Sequence, residues 1–413
     1  MLDIKYIREN PELIQKASAN KGATIDIKKI LKADKDFREL QIEVQKIREE
    51  RNKAANQRDI EKGKKLKEEL EKKENKLHNF EKELRLLTQN IPNPAKSDVK
   101  VGRDEAENEI IRKYKEPTKF SFIPKDHLEL GEALGIIDVK SAAKVSGTRF
   151  AYLKNDAVLL EFALVQLAFN TLIREGFHPI IPPVLIKKEI TQGLGYWQAA
   201  GNEDYYCIDE KSERQEYYLV GTAEHSIVPI HMNETLNSKD LPKRYVGFST
   251  AFRREAGSYG KDTRGILRVH QFDKLEMVSF VEKDDDDREH EFLLSQTEKL
   301  FQLLDIPYQV VKMCTGDLGF PAARKYDIEA WLPGQQKYRE VTSVSTVTDF
   351  QSRRLNIRYR KDKATEFVSI LNGTAFAIGR TIIAILENYQ QEDGSIKVPQ
   401  ILQKYLGKEV ISA

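Results

Sequence analysis

Charged side chains occupy two strand-like stretches that a loop rich in glycine and charge separates. The first stretch ends in Phe252-Arg253-Arg254-Glu255, and the second runs from Ile266 to Glu276. Apolar runs bounded by glycine-rich turn signals predict a β-hairpin. An arginine or glutamate on the inward face of a strand is costly unless a partner neutralises it. A substrate that carries phosphates, a carboxylate and an ammonium group could supply those partners.

Other charged residues stand in apolar surroundings elsewhere in the chain, notably Glu224, Glu340 and Arg380. Arginine suits phosphate because its donors form a planar fork, and a carboxylate can accept from an amino group or hold Mg²⁺. Phe272 could stack on a purine, whereas His270 is interpreted as a structural histidine of a strand. Together these residues predict a polar pocket on the face of a sheet. The chain contains neither a dinucleotide-binding GxGxxG nor a P-loop motif.

Composition narrows the class of protein. The chain has 413 residues, a formal net charge of +2 and two cysteines, Cys207 and Cys314. No CxxC pair occurs, so we expect no zinc, and two thiols suit a reducing cytoplasm. The first residues lack the apolar core of a signal peptide, and we expect no membrane span. Any contact with nucleic acid must come from a local basic patch, because the net charge is small.

The N-terminal part predicts a long antiparallel helical hairpin over about 28–91. After a short helix over 4–20, apolar residues recur at spacings of three and four from Ile30 to Ala54 and again from Leu66 to Ile91. Such spacing gives each helix one apolar seam, as in a coiled coil. A short turn over 58–63 makes the helices antiparallel, and about 28 residues per helix give a length of roughly 40 Å. Residues 92–105 are predicted to form a linker, so that the arm spans 1–105.

The tip of this hairpin is basic. Its lysines and arginines outnumber the acids Asp59 and Glu61; they are Arg51, Lys53, Arg58, Lys62, Lys64, Lys65 and Lys67. One interpretation is a solvated, charged end, and another is an arm that contacts the phosphates of a nucleic acid. A dimerisation rod is a third.

Residues 106–413 alternate strands and helices, which favours an α+β domain with a largely antiparallel sheet. We predict helices over 157–175, 289–304 and 373–389, and strands over 177–185, 326–332 and 338–341. The acidic run 284–287 is interpreted as solvated surface.

Several motifs together resemble the seryl-tRNA synthetase family of class II aminoacyl-tRNA synthetases. Residues 252–257, 262–265 and 270–276 are similar to the family's motif 2, and Gly379-Arg380-Thr381 with 386–390 resembles motif 3. Gly176-Phe177 through Pro182-Pro183 resembles motif 1, and Thr222-Ala223-Glu224 resembles the serine-binding loop. The resemblance extends over essentially the whole chain. Val220-Gly221, His225 and Ser345-Thr346-Val347 depart from the usual pattern without removing a charged residue.

The resemblance implies an α+β class II catalytic domain that activates L-serine with ATP and transfers it to tRNA(Ser). Whether tRNA(Sec) is also charged is left open. It further implies Mg²⁺ carried with ATP, held by Glu340 and Ser343, a tRNA-binding hairpin, and a homodimer formed through the motif 1 region. The implied catalytic residues are Arg253, Glu340 and Arg380. The implied ATP site is Arg253, Arg254, Glu255, Val269, Phe272, Glu340, Val341, Thr342, Ser343 and Arg380. The implied serine site is Thr222, Ala223, Glu224, Arg253, Glu276, Asn372 and Thr374.

Two alternatives remain at this point. One is a synthetase paralogue that binds tRNA for regulation, and the other is a ligase that loads an amino acid onto a carrier protein. The charged residues argue against the first, and the arm argues against the second.

Overall fold

The computed structural model describes residues 2–196, 204–210, 215–256 and 264–413. The chain forms two compact units, 1–94 and 95–413. The sequence placed the boundary at 105, but residues 95–105 pack within the larger unit. Lys96 N donates to Ala323 O at 2.9 Å, and Val99 is buried against Val311 and Met313. Residues 257, 262 and 263, which belong to the stretch that resembles motif 2, lie outside the described residues.

The helices of the described chain are α1 (Ile4–Glu9), α2 (Pro11–Asn20), α3 (Ile27–Asn56), α4 (Ile60–Gln89), α5 (His127–Ala133), α6 (Val139–Ser146), α7 (Asp156–Arg174), α8 (Lys188–Leu194), α9 (Glu224–Ile227), α10 (Asp286–Leu303), α11 (Phe350–Leu355), α12 (Ile378–Tyr389) and α13 (Gln400–Leu406). The strands are β1 (Glu109–Tyr114), β2 (Ile137–Asp138), β3 (Tyr152–Leu153), β4 (His178–Ile180), β5 (Leu185–Lys187), β6 (Cys207–Glu210), β7 (Gln215–Leu219), β8 (Thr235–Asn237), β9 (Lys243–Phe252), β10 (Gln271–Val281), β11 (Tyr308–Lys312), β12 (Arg324–Leu332), β13 (Lys337–Thr348), β14 (Arg358–Lys361), β15 (Ala364–Phe367), β16 (Ser369–Ala377), β17 (Ile396–Lys397) and β18 (Val410–Ile411).

In the N-terminal unit, α3 and α4 form the predicted hairpin. The buried positions of its seam include Ile30, Leu40, Val44, Ala54, Leu66 and Leu70. Ion pairs join the two helices across the seam, Arg48 to Glu74 at 2.7 Å and Lys73 to Glu43 at 2.6 Å. Mutual burial of the two apolar stripes therefore explains how such charge-rich helices remain paired.

Two local predictions for this unit are wrong. The predicted turn over 58–63 is shorter, because Asp59 caps α4 by accepting from Lys62 N at 3.1 Å, and Gly63 lies inside the helix. The predicted helix over 4–20 is two helices, since α1 ends before Pro11 and proline stands at the first position of α2. Proline cannot donate to the preceding turn, which explains the break.

The larger unit is built on an eight-stranded sheet with the order β1-β11-β12-β13-β16-β10-β9-β4. All neighbours are antiparallel except β4 and β9. Helices α7, α10 and α12 bury apolar residues against this sheet in the main core. The predicted α+β class with an antiparallel sheet and flanking helices is thus confirmed.

Several predicted elements of this unit have different bounds. The second strand of the hairpin begins at Gln271 instead of Ile266. Residues 373–377 end strand β16, and the predicted helix over 373–389 begins only at Ile378. The stretch 177–185 supplies two short strands in different sheets, because Pro182-Pro183 interrupts it.

The acidic run 284–287 is not uniformly solvated, contrary to the prediction. Asp286 is buried, and Lys96 pairs with it at 2.7 Å. Arg324 Nη2 donates to Asp287 Oδ1 at 2.6 Å. The charges therefore attach the start of the larger unit to α10.

Helix α7 is the one described helix that is long and apolar enough to cross a membrane by length and composition. The core helix of a soluble protein meets the same criterion. Leu160, Leu164 and Leu172 of α7 are fully buried in the main core, whereas Leu159 and Phe162 on its other face are exposed.

Candidate active site

A cavity of about 520 Å³ opens on one face of the large sheet. Strands β10, β13 and β16, the start of α12 and the segments that follow β7 and β9 supply its walls. Most of the sequence-predicted site residues meet in it: Thr222, Glu224, Arg253, Glu255, Val269, Phe272, Glu276, Glu340, Val341, Thr342, Ser343, Asn372, Thr374 and Arg380. Stretches separated by more than a hundred residues thus converge because their strands are neighbours.

Two predicted residues do not line this cavity. Arg254 follows the strand end next to Arg253, and its backbone N donates to Asp204 O at 2.9 Å. Ala223 is fully buried between Thr222 and Glu224. Alternation of side chains along an extended backbone explains why Arg253 and Glu255 share the cavity while Arg254 does not.

Arg253 is held in place before any substrate binds. Its Nε donates to Gly221 O at 3.1 Å, and its guanidinium lies 5.3 Å from the centre of the Phe272 ring. The N–H of Gly221 donates in turn to His225 Nδ1 at 3.2 Å. His270 Nδ1 donates to Arg253 O at 2.9 Å, so His270 serves as a structural residue, as the sequence indicated.

Arg380 and Glu340 form an ion pair that lines the cavity. Arg380 Nη1 lies 3.2 Å from Glu340 Oε2, and Arg380 Nε donates to Leu267 O at 3.3 Å. Burial opposes ionisation of Glu340, but the cations Arg380, Lys325 and Arg253 lower its pKa to about 2. Glu340 is therefore a carboxylate at any physiological pH.

A small polar recess surrounds Glu276 at one end of the cavity. Thr222 Oγ1 and Thr374 Oγ1 donate to Glu276 Oε2 at 3.2 and 3.4 Å, and Lys274 Nζ lies 2.5 Å from the same oxygen. Glu276 and Thr374 meet because they are paired residues of β10 and β16. A buried carboxylate with three polar neighbours is stabilised against its desolvation.

The second acid of this recess, Glu224, has a different environment. Tyr196 Oη donates to both of its carboxylate oxygens at 3.0 Å, and Gln351 Nε2 donates to Oε1 at 3.0 Å. Burial, followed by repulsion from Glu276, raises the pKa of Glu224 to about 7. The recess therefore contains one carboxylate whose charge changes near neutral pH.

Other groups of the cavity indicate where a ligand would bind. Arg268 Nη1 donates to Glu255 Oε2 at 2.6 Å. The buried Asn372 Nδ2 and Thr342 Oγ1 have no hydrogen-bond partner among the described residues. Buried polar groups are normally satisfied, so these two are the expected contacts of a polar ligand.

Sequence reasoning missed Lys274, Arg268, Tyr196 and Lys325, which line the cavity, and Gln351, which holds Glu224. Lys274 could have been found, because it lies between Phe272 and Glu276 on the same face of one strand. The other four come from segments with no local pattern that distinguishes them from ordinary polar residues.

In the N-terminal unit, the basic residues that the sequence singled out are all exposed: Arg51, Lys53, Arg58, Lys62, Lys64, Lys65 and Lys67. They lie at the end of α3, in the turn and in the first turns of α4. The hairpin tip therefore exposes a cluster of basic residues, which can contact an anionic polymer.

The cavity combines fixed arginines, an aromatic ring and a recess for a small polar group with two acids. Arginines and a phenyl ring suit a purine nucleotide, and the acids suit an ammonium group. This arrangement fits a transfer at phosphorus that depends on positioning and electrostatics.

Comparisons with known proteins agree with the fold. Residues 205–389 match the model of the tRNA synthetase class II core domain (G, H, P, S and T), which places the larger unit in the class II synthetases. Residues 1–95 match the model of the seryl-tRNA synthetase N-terminal domain. The serine–tRNA ligase of Dictyoglomus turgidum is 43% identical over 98% of both chains. The chain belongs to the seryl-tRNA synthetase family.

Solved structures of the family cover the whole chain. Seryl-tRNA synthetase from Pyrococcus horikoshii complexed with ATP is 40% identical, with a TM-score of 0.92 over 100% of this chain and 99% of that one. The cytoplasmic enzyme from Naegleria fowleri in complex with AMP is 31% identical, with a TM-score of 0.89 over the same shares.

Proposed function

We propose that this protein is a serine–tRNA ligase that forms seryl-adenylate from L-serine and ATP and then transfers serine to the 3′-terminal adenosine of tRNA(Ser). One cavity contains both Arg253 and Arg380 and the recess formed by Glu224 and Glu276, and this observation carries the proposal. The family and the relatives' names support the same activity.

The arginine-lined part of the cavity would bind ATP. Arg253 would contact the α-phosphate and the serine carboxylate, and Phe272 and Arg380 would stack on the two faces of adenine. Glu255 would accept a hydrogen bond from the adenine amino group after its ion pair with Arg268 opens. The serine carboxylate would attack the α-phosphorus and pyrophosphate would leave, so the protein supplies mainly position and charge.

The recess around Glu276 would bind serine. Glu224, Glu276 and Thr222 would face the ammonium group, and Thr374 and Asn372 would lie near the hydroxyl. Alanine should be rejected strongly, because it would leave buried polar groups of the recess without partners. Threonine would be excluded by space, which discriminates by about 1–3 kcal/mol for one methyl-sized group.

We further propose that Mg²⁺ enters with ATP. The described residues contain no group of three or more His, Cys, Asp or Glu that could hold a metal. The ionised carboxylate of Glu340 and the hydroxyl of Ser343 line the cavity. These donors fit Mg²⁺, which commonly uses one or two protein carboxylates together with substrate phosphates. The metal would neutralise phosphate charge.

The α3–α4 hairpin would bind tRNA through its basic tip. Replacing Lys64, Lys65 and Lys67 by glutamine should weaken tRNA charging and its salt dependence while leaving adenylate formation unchanged, because each phosphate contact contributes to salt-dependent affinity. The matched control replaces Lys72, Lys76 and Lys82, three exposed lysines farther along the same helix. Equal losses in the two triple variants would contradict a role for the tip.

A homodimer and a cytoplasmic location complete the proposal. Leu159, Phe162 and Ile173 expose apolar surface on α7, and Ile181 of the motif 1 region is 80% exposed. Apolar patches of this kind mark protein interfaces. The two cysteines are free, as is usual in a reducing compartment.

The decisive experiment is ATP–pyrophosphate exchange with serine, alanine and threonine, followed by charging of a tRNA(Ser) transcript. We expect exchange with serine to exceed exchange with alanine by a factor of at least about 10⁴, as for sites built to bind a hydroxyl. Exchange that does not depend on serine would refute the proposed function. Exchange without charging of tRNA would instead favour a ligase for a carrier protein.

A further inference from the structure

Lys274 places an ammonium group inside the recess that would bind serine. The residue lies on β10 between Phe272 and Glu276 and is only 8% exposed. Its Nζ atom lies 2.5 Å from Glu276 Oε2 and 3.3 Å from Thr222 Oγ1. A buried lysine is costly unless it is paired, so Glu276 and Lys274 form a unit that is present before the substrate arrives.

The charges of the recess are consequently balanced for one further cation. Its carboxylates are Glu224 and Glu276, and Lys274 is its own cation. With both acids ionised, one net negative charge remains. The ammonium group of an amino acid neutralises that charge, while its carboxylate is left for Arg253.

We propose that Lys274 determines specificity by neutralising one of the two acids, so that the recess accepts an amino acid with one ammonium group and a neutral side chain. This inference rests on the proposed function and names the substrate class that the charges select. An amino acid with a second ammonium group is excluded because that group would meet Lys274.

The relevant competitor is L-2,3-diaminopropionate, in which an amino group replaces the serine hydroxyl at almost the same size. Space cannot separate the two compounds, so discrimination depends on charge and hydrogen bonding. The side-chain ammonium would approach Glu276, where Thr374 Oγ1 already donates at 3.4 Å. With Lys274 present, the side-chain ammonium would be a further cation beside Glu276. Without the charge of residue 274, the side-chain ammonium would take the place of the lysine ammonium.

Two variants separate the charge of Lys274 from its hydrogen bonds. Lys274→Gln removes the charge but keeps an N–H donor for Glu276, and Lys274→Arg keeps the charge. The measured quantity is the ratio of kcat/KM for diaminopropionate to that for serine in ATP–pyrophosphate exchange at pH 6, with alanine as a third substrate. The low pH keeps both amino groups of diaminopropionate protonated, because two neighbouring ammonium groups repel each other and one loses its proton near neutral pH. Lys363→Gln, at an exposed site of the β14–β15 connection, is the control for lysine replacement.

We expect Lys274→Gln to raise this ratio about tenfold or more. A buried charge–charge interaction of modest strength is enough to produce such a change. Lys274→Arg and Lys363→Gln should leave the ratio unchanged, and alanine should gain nothing in any variant. An unchanged ratio in Lys274→Gln, or an equal gain for alanine, would overturn the proposal. Serine-dependent exchange by the wild type tests the proposed function separately, so the two failures are distinguishable.

Discussion

The activation of serine should depend on pH through Glu224. Burial and the neighbouring Glu276 raise the pKa of Glu224 to about 7 in the free protein. The substrate ammonium requires the carboxylate form, so the ionised fraction, about 0.9 at pH 8 and about 0.1 at pH 6, sets kcat/KM for serine. We therefore expect kcat/KM to fall about tenfold from pH 8 to pH 6 and to be nearly constant above pH 8.

His225, Tyr196 and Glu340 should not add transitions in this range. Burial, followed by the charges of Arg253 and Lys274, holds the pKa of His225 well below its usual value. Burial raises the pKa of Tyr196 well above its usual value. The cations around Glu340 keep it ionised, with a pKa of about 2. Burial raises the pKa of Asp327, which pairs with Lys325 of the cavity, to about 8, so the loss of the transition near pH 7 in Glu224→Gln is what assigns it to Glu224.

The assay is ATP–pyrophosphate exchange at saturating ATP between pH 5.5 and 8.5. Tyr196→Phe removes a hydrogen bond that lowers the pKa of Glu224, so the transition should move to higher pH. Glu224→Gln should lower activity and abolish the transition. A flat profile in the wild type, or the same transition in Glu224→Gln, would refute the assignment.

Two further predictions concern the same recess. Glu224→Gln should stabilise the ligand-free protein relative to the wild type by about 3 kcal/mol at pH 8 but by little at pH 4.5, because the raised pKa costs the wild type stability as pH rises from 4.5 to 7. Denaturant unfolding of both proteins at the two pH values measures the difference in their free energies of unfolding. The same difference at pH 8 and pH 4.5 would contradict the prediction. His225→Leu should leave Gly221 N–H without its acceptor, which costs about 1–3 kcal/mol of stability. It should also lower kcat for exchange, because Gly221 O positions Arg253. His225→Asn should recover most of the stability and of kcat, and equal losses in the two variants would mean that the shape of the side chain matters more than its acceptor.

Local patterns predicted the features that local interactions determine. The seam from Ile30 to Leu70 is visible in the sequence because each helix buries one stripe against a partner that directly follows it. The charged residues of 253–276 were recognisable because charge in an apolar strand is unusual. Boundaries were less accurate: Thr374 lies on a strand whose last residues the apolar pattern assigned to a helix, since a short fully buried strand and a helix look alike by hydrophobicity.

The rest of the site depends on which strands become neighbours, and no local pattern states that. Thr374 reaches Glu276 only because β16 pairs with β10, with an irregularity between Leu275 and Glu276 that sets the register. A shift by one residue would turn Thr374 away from the recess. Lys274 shows the converse. The period of β10 places it in the recess, but its role depends on a second acid, Glu224, which lies at the start of α9, distant in sequence. The charge balance of this pocket is thus a property of the tertiary structure, although every charge in it can be read from the sequence.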